Sequence, residues 1–188
     1  MTLVDVAALG DCYRTTNRVT ESHQVLATEL AGLEAKIGKA GPIPPVAFVR
    51  CQFGLTLLRE GRFAEAEAVL RQSLADYDRY EMRPLNLRLH PRQRAVSGLG
   101  QALAGQGKFA EAEPLVVQAF QELQANAPRL AGNAPGMVRE ALDAVIALYT
   151  GWAESDPSKK PIVAAWRMRL EEFEAKHTRQ EDRPAHKT

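Results

Sequence analysis

The chain has 188 residues, of which 45% are hydrophobic, and its 24 Lys and Arg nearly balance its 23 Asp and Glu. This length and composition are sufficient for a single domain with its own core. The formal net charge of +1 gives no electrostatic reason to expect nucleic acid or an acidic membrane surface as a partner.

The amino terminus does not resemble a targeting segment. The first twenty residues contain Asp5 and have neither a basic start nor an unbroken apolar run. No window approaches the roughly 18 apolar residues of a membrane span, so we expect a cytoplasmic protein. Cys12 and Cys51 both lie in predicted helices, where we expect each thiol to be a small buried hydrophobe.

The first predicted element is a helix over residues 3 to 16, followed by a tight turn and a helix over 19 to 37. Asn17 occupies the turn, where a left-handed backbone is required and Asn is the best substitute for glycine. Met1 stands almost at the first helix, although the end of a repeat array normally needs a polar cap. We therefore expect a truncated reading frame, an unusual start, or a partner that covers this face, including self-association through the first pair.

The second and third predicted pairs repeat one another closely. The segment GLTLLREGRFAEAE at residues 54–67 recurs 46 residues later as GQALAGQGKFAEAE at residues 100–113. Apolar residues at four- and three-residue spacing follow each segment and form one helical stripe. We predict helices over 45 to 60 and 63 to 81, and then over 92 to 106 and 109 to 126.

The fourth pair is a degenerate copy, predicted over 136 to 152 and 160 to 177 with an inserted loop. The repeats therefore cover about residues 3–40, 45–82, 92–127 and 136–177 within one domain, residues 1–178. Residues from Glu174 onward mix charges and proline, so we expect fraying there and a disordered tail over residues 179–188.

Prolines punctuate these predicted elements. Those near residues 42–45, 84–91 and 128–135 should end one helix and begin the next. Pro114 lies about six residues into a predicted helix, where we expect a displaced start or a mild kink.

A set of small and aromatic positions defines the repeat. Its members are Gly10, Gly54, Gly61, Phe63, Ala66, Gly100, Gly107, Phe109 and Ala112. A helix pair cannot bury its own apolar stripe, so neighbouring pairs must stack. The predicted fold is all-α, a right-handed solenoid of about four antiparallel helix hairpins.

This pattern resembles the tetratricopeptide repeat. The period of 44 to 46, longer than the usual 34, and the run AEPL at residues 112–115 resemble its kinesin-light-chain variety. The segments at 112–123, 138–142, 147–152 and 165–170 are also similar to the carboxyl end of bacterial serine/threonine kinases that carry such repeats. That resemblance implies a regulatory module beside a kinase. The chain itself has no glycine-rich loop, His-Arg-Asp loop or Asp-Phe-Gly motif.

The sequence offers no strong candidate for chemistry. The four histidines and two cysteines show no ligand spacing, so we expect no metal, and the Gly98 and Gly107 regions do not fit the cofactor-binding loops. The acidic residues Glu65, Glu67, Glu111 and Glu113 suit the first turn of a helix. Trp152 and Trp166 are expected to close the core, with an aromatic recognition patch as the alternative.

We therefore expect a non-catalytic module that binds a protein or peptide in a groove lined by the first helix of each pair. The predicted groove residues from the repeat columns are Asp11, Arg14, Gln52, Leu55, Gln101 and Asp143, and the nearby Arg59 and Arg94 are added to them. The regulatory region of a signalling kinase is the alternative function. An enzyme remains a third hypothesis, with Asp11 and Asp143 as its acidic residues.

Overall fold

A computed structural model describes residues 3–37, 44–79, 85–130 and 134–181. Within those ranges the chain forms α-helices joined by turns, with no strand. The eight helices are α1 (Leu3–Thr15), α2 (Val19–Ile37), α3 (Pro44–Arg59), α4 (Phe63–Arg79), α5 (Leu85–Gly105), α6 (Phe109–Asn126), α7 (Ala134–Ser155) and α8 (Lys160–Glu181). Short 3-10 turns at Ala127–Arg129 and Pro157–Lys159 precede α7 and α8.

Consecutive helices form four antiparallel pairs, and the first helices of the pairs also pack against one another. Helix α1 contacts α3, α3 contacts α5, and α5 contacts α7, while α2, α4 and α6 each contact the first helix of the next pair. The result is a layer of first helices backed by a layer of second helices. The predicted all-α solenoid of helix hairpins is confirmed.

The turns within the first three pairs have the predicted backbone. Asn17, Gly61 and Gly107 have φ values of 61°, 73° and 77°, in the left-handed region that glycine enters without steric cost and Asn tolerates. Each turn residue lies just beyond the last residue of a helix, so the chain can reverse within three residues. The interpretation of Asn17 as the counterpart of the two glycines is confirmed.

Small residues let the two helices of a pair approach closely. A Cβ atom added at Gly10 would lie 2.7 Å from Leu26, and one added at Gly100 would lie 2.3 Å from Val116. A Cβ atom added at Gly54 would lie 2.6 Å from the side chain of Leu70. These contacts join aligned columns of the repeat, so the glycine column serves close packing within each pair.

The aromatic column joins successive pairs instead. The ring of Phe63, on α4, lies against Gly105 of α5, and Phe109, on α6, lies against Gly151 of α7. Phe109 also stacks on Trp152 with ring centroids 5.7 Å apart. Trp166 meets the buried Phe120 edge-on at 5.4 Å, so both tryptophans pack against the core, as predicted.

The structure corrects four expectations: a helix boundary at Pro91, a displaced start near Pro114, the end of the last helix, and a buried Cys12. Helix α5 begins at Leu85 and contains Pro91, and α6 begins at Phe109, with no displaced start despite Pro114. Each proline removes only one backbone donor, and Pro114 lies on an exposed side of α6. Helix α8 continues to Glu181, beyond the predicted boundary at 178, and residues 182–188 lie outside the described ranges.

Cys51 is buried, but Cys12 is exposed, because no preceding helix covers that face of α1 within the described residues.

Candidate functional site: the inner face of the helix layer

The layer of first helices is curved, and one contact shows which face is inside. Packed helix axes lie about 8–10 Å apart, so in a flat layer α1 and α5, which are two places apart, would be separated by about 16–20 Å. Arg94 of α5 nevertheless places its Nη2 atom 3.3 Å from Oδ1 of Asp11 on α1. This approach across α3 fits a layer that bends toward these side chains, and we call the face that carries them the inner face.

Four charged side chains gather there, which we name the inner ion cluster: Asp11 and Arg14 of α1, Arg94 of α5, and Glu140 of α7. The Nη2 atom of Arg94 lies 3.2 Å from Oε1 of Glu140 and 3.3 Å from Oδ1 of Asp11. Arg14 donates a hydrogen bond to the same oxygen of Asp11. One guanidinium thus links the first, third and fourth helix pairs.

The two arginines of the inner ion cluster are largely shielded from water, whereas the side chain of Glu140 is 53% exposed. The side chains of Arg94 and Arg14 are 12% and 14% exposed, and that of Asp11 is 33% exposed. Burial alone would raise the pKa of Asp11, but the charges and hydrogen bonds of Arg94 and Arg14 outweigh it and lower that pKa below its usual value. Asp11 is therefore ionised at neutral pH and paired, which makes it a poor general base.

Cys51 of α3 lies close to this cluster without taking part in chemistry. It is 1% exposed, and its Sγ lies 4.0 Å from the carbonyl oxygen of Pro91. Burial raises the pKa of the thiol to about 12, although the positive charges of Arg94 and Arg14 act to lower it. Because the thiolate is the reactive form, Cys51 is unreactive at neutral pH.

An apolar cleft adjoins the cluster along the inner face. It has a volume of about 380 Å³ and lies between α3, α5 and α7. Its lining is mostly apolar, with one amide and one carboxylate: Leu58, Phe63, Gln101, Ala104, Phe109, Ala147 and Glu154. Gln101 lies 3.4 Å from the hydroxyl of Ser97, so most of its hydrogen-bonding capacity is available to a ligand.

The eight predicted groove residues have different positions in the structure. Asp11, Arg14 and Arg94 meet in the inner ion cluster, and Gln101 lines the apolar cleft. Arg59 is exposed at the end of α3. Asp143 is exposed on α7, with its Oδ2 atom 3.9 Å from Nε of Arg139, so it lies apart from the cluster.

Gln52 and Leu55 correct the predicted groove. They are only 1% and 7% exposed, so a ligand on the inner face would not contact them in this structure. Leu55 is covered because α5 approaches at Gly98, where an added Cβ would lie 2.9 Å from the leucine side chain. The repeat columns give the spacing of these residues, but not the depth at which a neighbouring helix covers them.

Sequence reasoning missed Glu140, although a signal was present. Glu140 follows Arg94 by 46 residues, which is the repeat period, so the two occupy one column of neighbouring repeats. Opposite charges in the same column of packed helices indicate an ion pair. A search for complementary charges within columns would have found it.

The described residues contain neither a candidate metal centre nor a candidate membrane span. In the described ranges no group of three or more His, Cys, Asp or Glu side chains is placed to hold a metal ion. None of the described helices is long and apolar enough to cross a membrane.

A curved layer of helices backed by a second layer defines the class as an α-solenoid of helix hairpins, and sequence comparison gives the type of repeat. Residues 53–72 and 93–118 match the family model of the tetratricopeptide repeat. The two stretches span α3 into α4 and α5 into α6, the best-formed pairs. These stretches are tetratricopeptide repeats, as the sequence resemblance predicted.

Comparison with solved structures finds similar chains among kinesin-light-chain-type repeats. One is a crystal structure of the nearly identical tetratricopeptide-like repeats of a putative kinesin light chain from Podosopora anserina, at 15% identity, covering 94% of this chain and 97% of that one with a TM-score of 0.39. A single-substitution variant of the same repeats matches at 14% identity, with 94% and 96% coverage and a TM-score of 0.39. No curated protein matches the chain significantly.

Proposed function

We propose that this protein is a non-catalytic interaction module whose inner face binds an extended segment of another protein. The observation that carries the proposal is the apolar cleft of about 380 Å³ between α3, α5 and α7. A cleft of this kind can take an apolar side chain, while Gln101 and Glu154 offer polar contacts to the backbone of a bound segment.

The neighbouring charges support a protein ligand over a small acidic one. Both inner arginines already pair with Asp11 or Glu140, so an anion would have to displace a carboxylate of the chain. A mostly apolar segment with one or two hydrogen-bonding groups meets no such competition. The proposed compartment is the cytoplasm, and the proposed ligand is a peptide or protein.

A blocked cleft tests this proposal. Ala147 is exposed and lines the cleft, so Ala147→Trp should fill the cleft without disturbing the core. Ala110 is exposed on α6, away from the inner face, and Ala110→Trp is the matched control. Partners captured by the wild-type chain should be retained by Ala110→Trp and lost by Ala147→Trp.

Binding must then be measured with the purified partner. We expect Ala147→Trp to raise its dissociation constant by tenfold or more, about 1.4 kcal/mol, and the control to leave it within about twofold. Equal binding by all three chains would contradict the proposed groove. The regulatory role beside a kinase stays a prediction, because nothing in the described residues favours it over other interaction roles.

A further inference from the structure

We infer that the last helix pair carries a second interaction surface, and that its partner is a second copy of this chain bound about a twofold axis. This surface lies along α8 and the adjoining side of α7, and it borders the inner face, since Glu154 lines both clefts. It is a cleft of about 730 Å³ whose apolar lining includes Ala153, Val163, Ala164 and Met168. Within the described residues no further helix covers it.

The residues of α8 that border this cleft form one continuous stripe. They are Lys160, Val163, Ala164, Arg167, Met168 and Glu171, which follow the three- and four-residue spacing of a single helix face. The opposite face of α8 packs into the core through Ile162, Trp166, Leu170 and Phe173. Val163 lies at the edge between the two faces, because it is only 8% exposed and belongs to the core. The uncovered part of the stripe is therefore formed by Lys160, Ala164, Arg167, Met168 and Glu171.

Met168 gives this stripe an apolar centre. Its side chain is 61% exposed, and among the described residues no other large hydrophobic side chain is exposed to solvent. Met is a flexible side chain that adapts to irregular contact surfaces. Its neighbours Val163 and Ala164 leave room beside it, so a Met side chain from another copy can enter the same cleft.

The charges of the stripe are complementary to themselves. Lys160 lies at the amino end of the stripe and Glu171 at its carboxyl end, and neither forms an ion pair with any described residue. When two copies of a helix pack antiparallel about a twofold axis, each residue faces its counterpart across the axis. An axis midway between Lys160 and Glu171 places each lysine opposite the glutamate of the other copy.

The same axis also matches the apolar residues. Met168 of the second copy then lies over Val163, which lines the cleft although only 8% of it is exposed. Ala164 faces the aliphatic stem of Arg167, which can cover apolar surface while its charge stays in water. The two ion pairs would lie about 16 Å apart, the length of about eleven helical residues. Charges and apolar residues therefore agree on one register, and this agreement favours a second copy over an unrelated partner.

Charge reversal tests both the partner and the register. Lys160→Glu places glutamates opposite one another at both ends of the interface, and Glu171→Lys places lysines there. Each single variant should weaken self-association about tenfold or more, because two attractive pairs become two repulsive ones. The double variant Lys160→Glu/Glu171→Lys should restore the wild-type dissociation constant. All masses are to be measured by sedimentation equilibrium over a concentration series.

An equimolar mixture gives the sharpest result. The Lys160→Glu chain carries two glutamates and the Glu171→Lys chain two lysines, so the mixture should form heterodimers at concentrations where each variant alone associates about tenfold or more weakly than the wild type. Glu172→Lys, an exposed residue of α8 that does not line this cleft, is the matched control and should dimerise like the wild type. Circular dichroism verifies that every variant retains its helices.

Three results would overturn the inference. The first is a wild-type chain that stays monomeric over the whole concentration series. The second is a dimer that neither single reversal weakens, or a mixture of the two variants that forms no heterodimer. The third is a mass that keeps growing with concentration, since this would indicate head-to-tail stacking of the last pair on the first pair of the next copy. None of these results depends on whether the inner face binds its own ligand.

Discussion

At the scale of single residues, the repeat works as a set of matched columns. The buried residues Leu26, Leu70 and Val116 are each 0% exposed, and each meets the glycine that aligns with it on the other helix of the pair. A side chain at that glycine would collide with the apolar residue opposite. The column therefore specifies close packing within a pair, which composition alone could not show.

Leu103 tests the burial of these columns. It is 2% exposed and lies in the main core, so Leu103→Ala should lower the free energy of unfolding by about 2–5 kcal/mol through cavity formation. Urea denaturation measures this change. Gln121→Ala, on the exposed side of α6, should change it by less than about 0.5 kcal/mol. An unchanged midpoint for Leu103→Ala would contradict the register of the repeat.

At the scale of elements, helix ends were predicted best where a turn residue must adopt positive φ. The positions of Gly61 and Gly107 predicted the ends of α3 and α5 to within one residue. The start of α5 was predicted seven residues late, because Pro91 indicates a boundary in local terms and yet lies inside the helix. Proline limits a helix through one missing bond, and tertiary packing of the surrounding turns can offset that loss.

Successive pairs are also joined by polar contacts at the turns. Glu67 of α4 accepts hydrogen bonds from Arg71 at 2.7 Å and from Gln106 of the next turn at 2.8 Å, and Nζ of Lys108 lies 3.2 Å away. The bonds from Arg71 and Gln106, with the charge of Lys108, lower the pKa of Glu67 to about 2. The contact thus joins the second pair to the third through an ionised carboxylate.

Acid should break this contact. Because the folded-state pKa of Glu67 is below the usual 4.5, its stabilisation is present above pH 4.5 and is lost as the pH falls toward 2. Glu67→Gln should cost about 0.5–1.5 kcal/mol at about pH 7, and its stability should fall less steeply than that of the wild type in this window. Thermal denaturation as a function of pH measures both effects.

Glu111→Gln is the matched control for this prediction. It removes the same charge from the first turn of α6, where the structure shows an exposed side chain. If Glu67→Gln and Glu111→Gln gave parallel pH profiles, the contact with Gln106 and Lys108 would not contribute to stability.

At the scale of the whole molecule, curvature decides which residues a partner can reach. The structure brings Asp11, Arg14 and Arg94 together in the inner ion cluster and places Gln101 in the apolar cleft, while their role in a binding groove stays a prediction. The repeat columns could not predict that Gln52 and Leu55 are covered, because the burial of these two depends on how closely neighbouring helices approach, as α5 does at Leu55. Column spacing is a local property, whereas curvature results from all the pair interfaces together.

The inner ion cluster should hold this curvature. Arg94→Met leaves the carboxylates of Asp11 and Glu140 without the guanidinium that joins them, so the solenoid should open and its radius of gyration should rise. Small-angle X-ray scattering measures this change. Because the two arginines are largely buried, added salt should screen the cluster only weakly, so the wild type should keep its radius of gyration over a salt series.

Arg139→Met is the matched control for the cluster. Arg139 is 54% exposed and pairs with Glu174 at 3.0 Å on the surface of the last pair, so its loss should leave the radius of gyration unchanged. Identical scattering from wild type and Arg94→Met would show that the curvature does not depend on the inner ion cluster.

The most direct test of the central claim is to map where a purified partner binds, by following backbone amide signals in NMR during a titration. The largest shifts should occur at Leu58, Gln101, Ala104 and Gly151, which line the apolar cleft of the inner face, and Ala147→Trp should abolish them. Shifts confined to the outer helices α4 and α6, with the cleft signals unchanged, would contradict the claim that this solenoid binds proteins through its inner face.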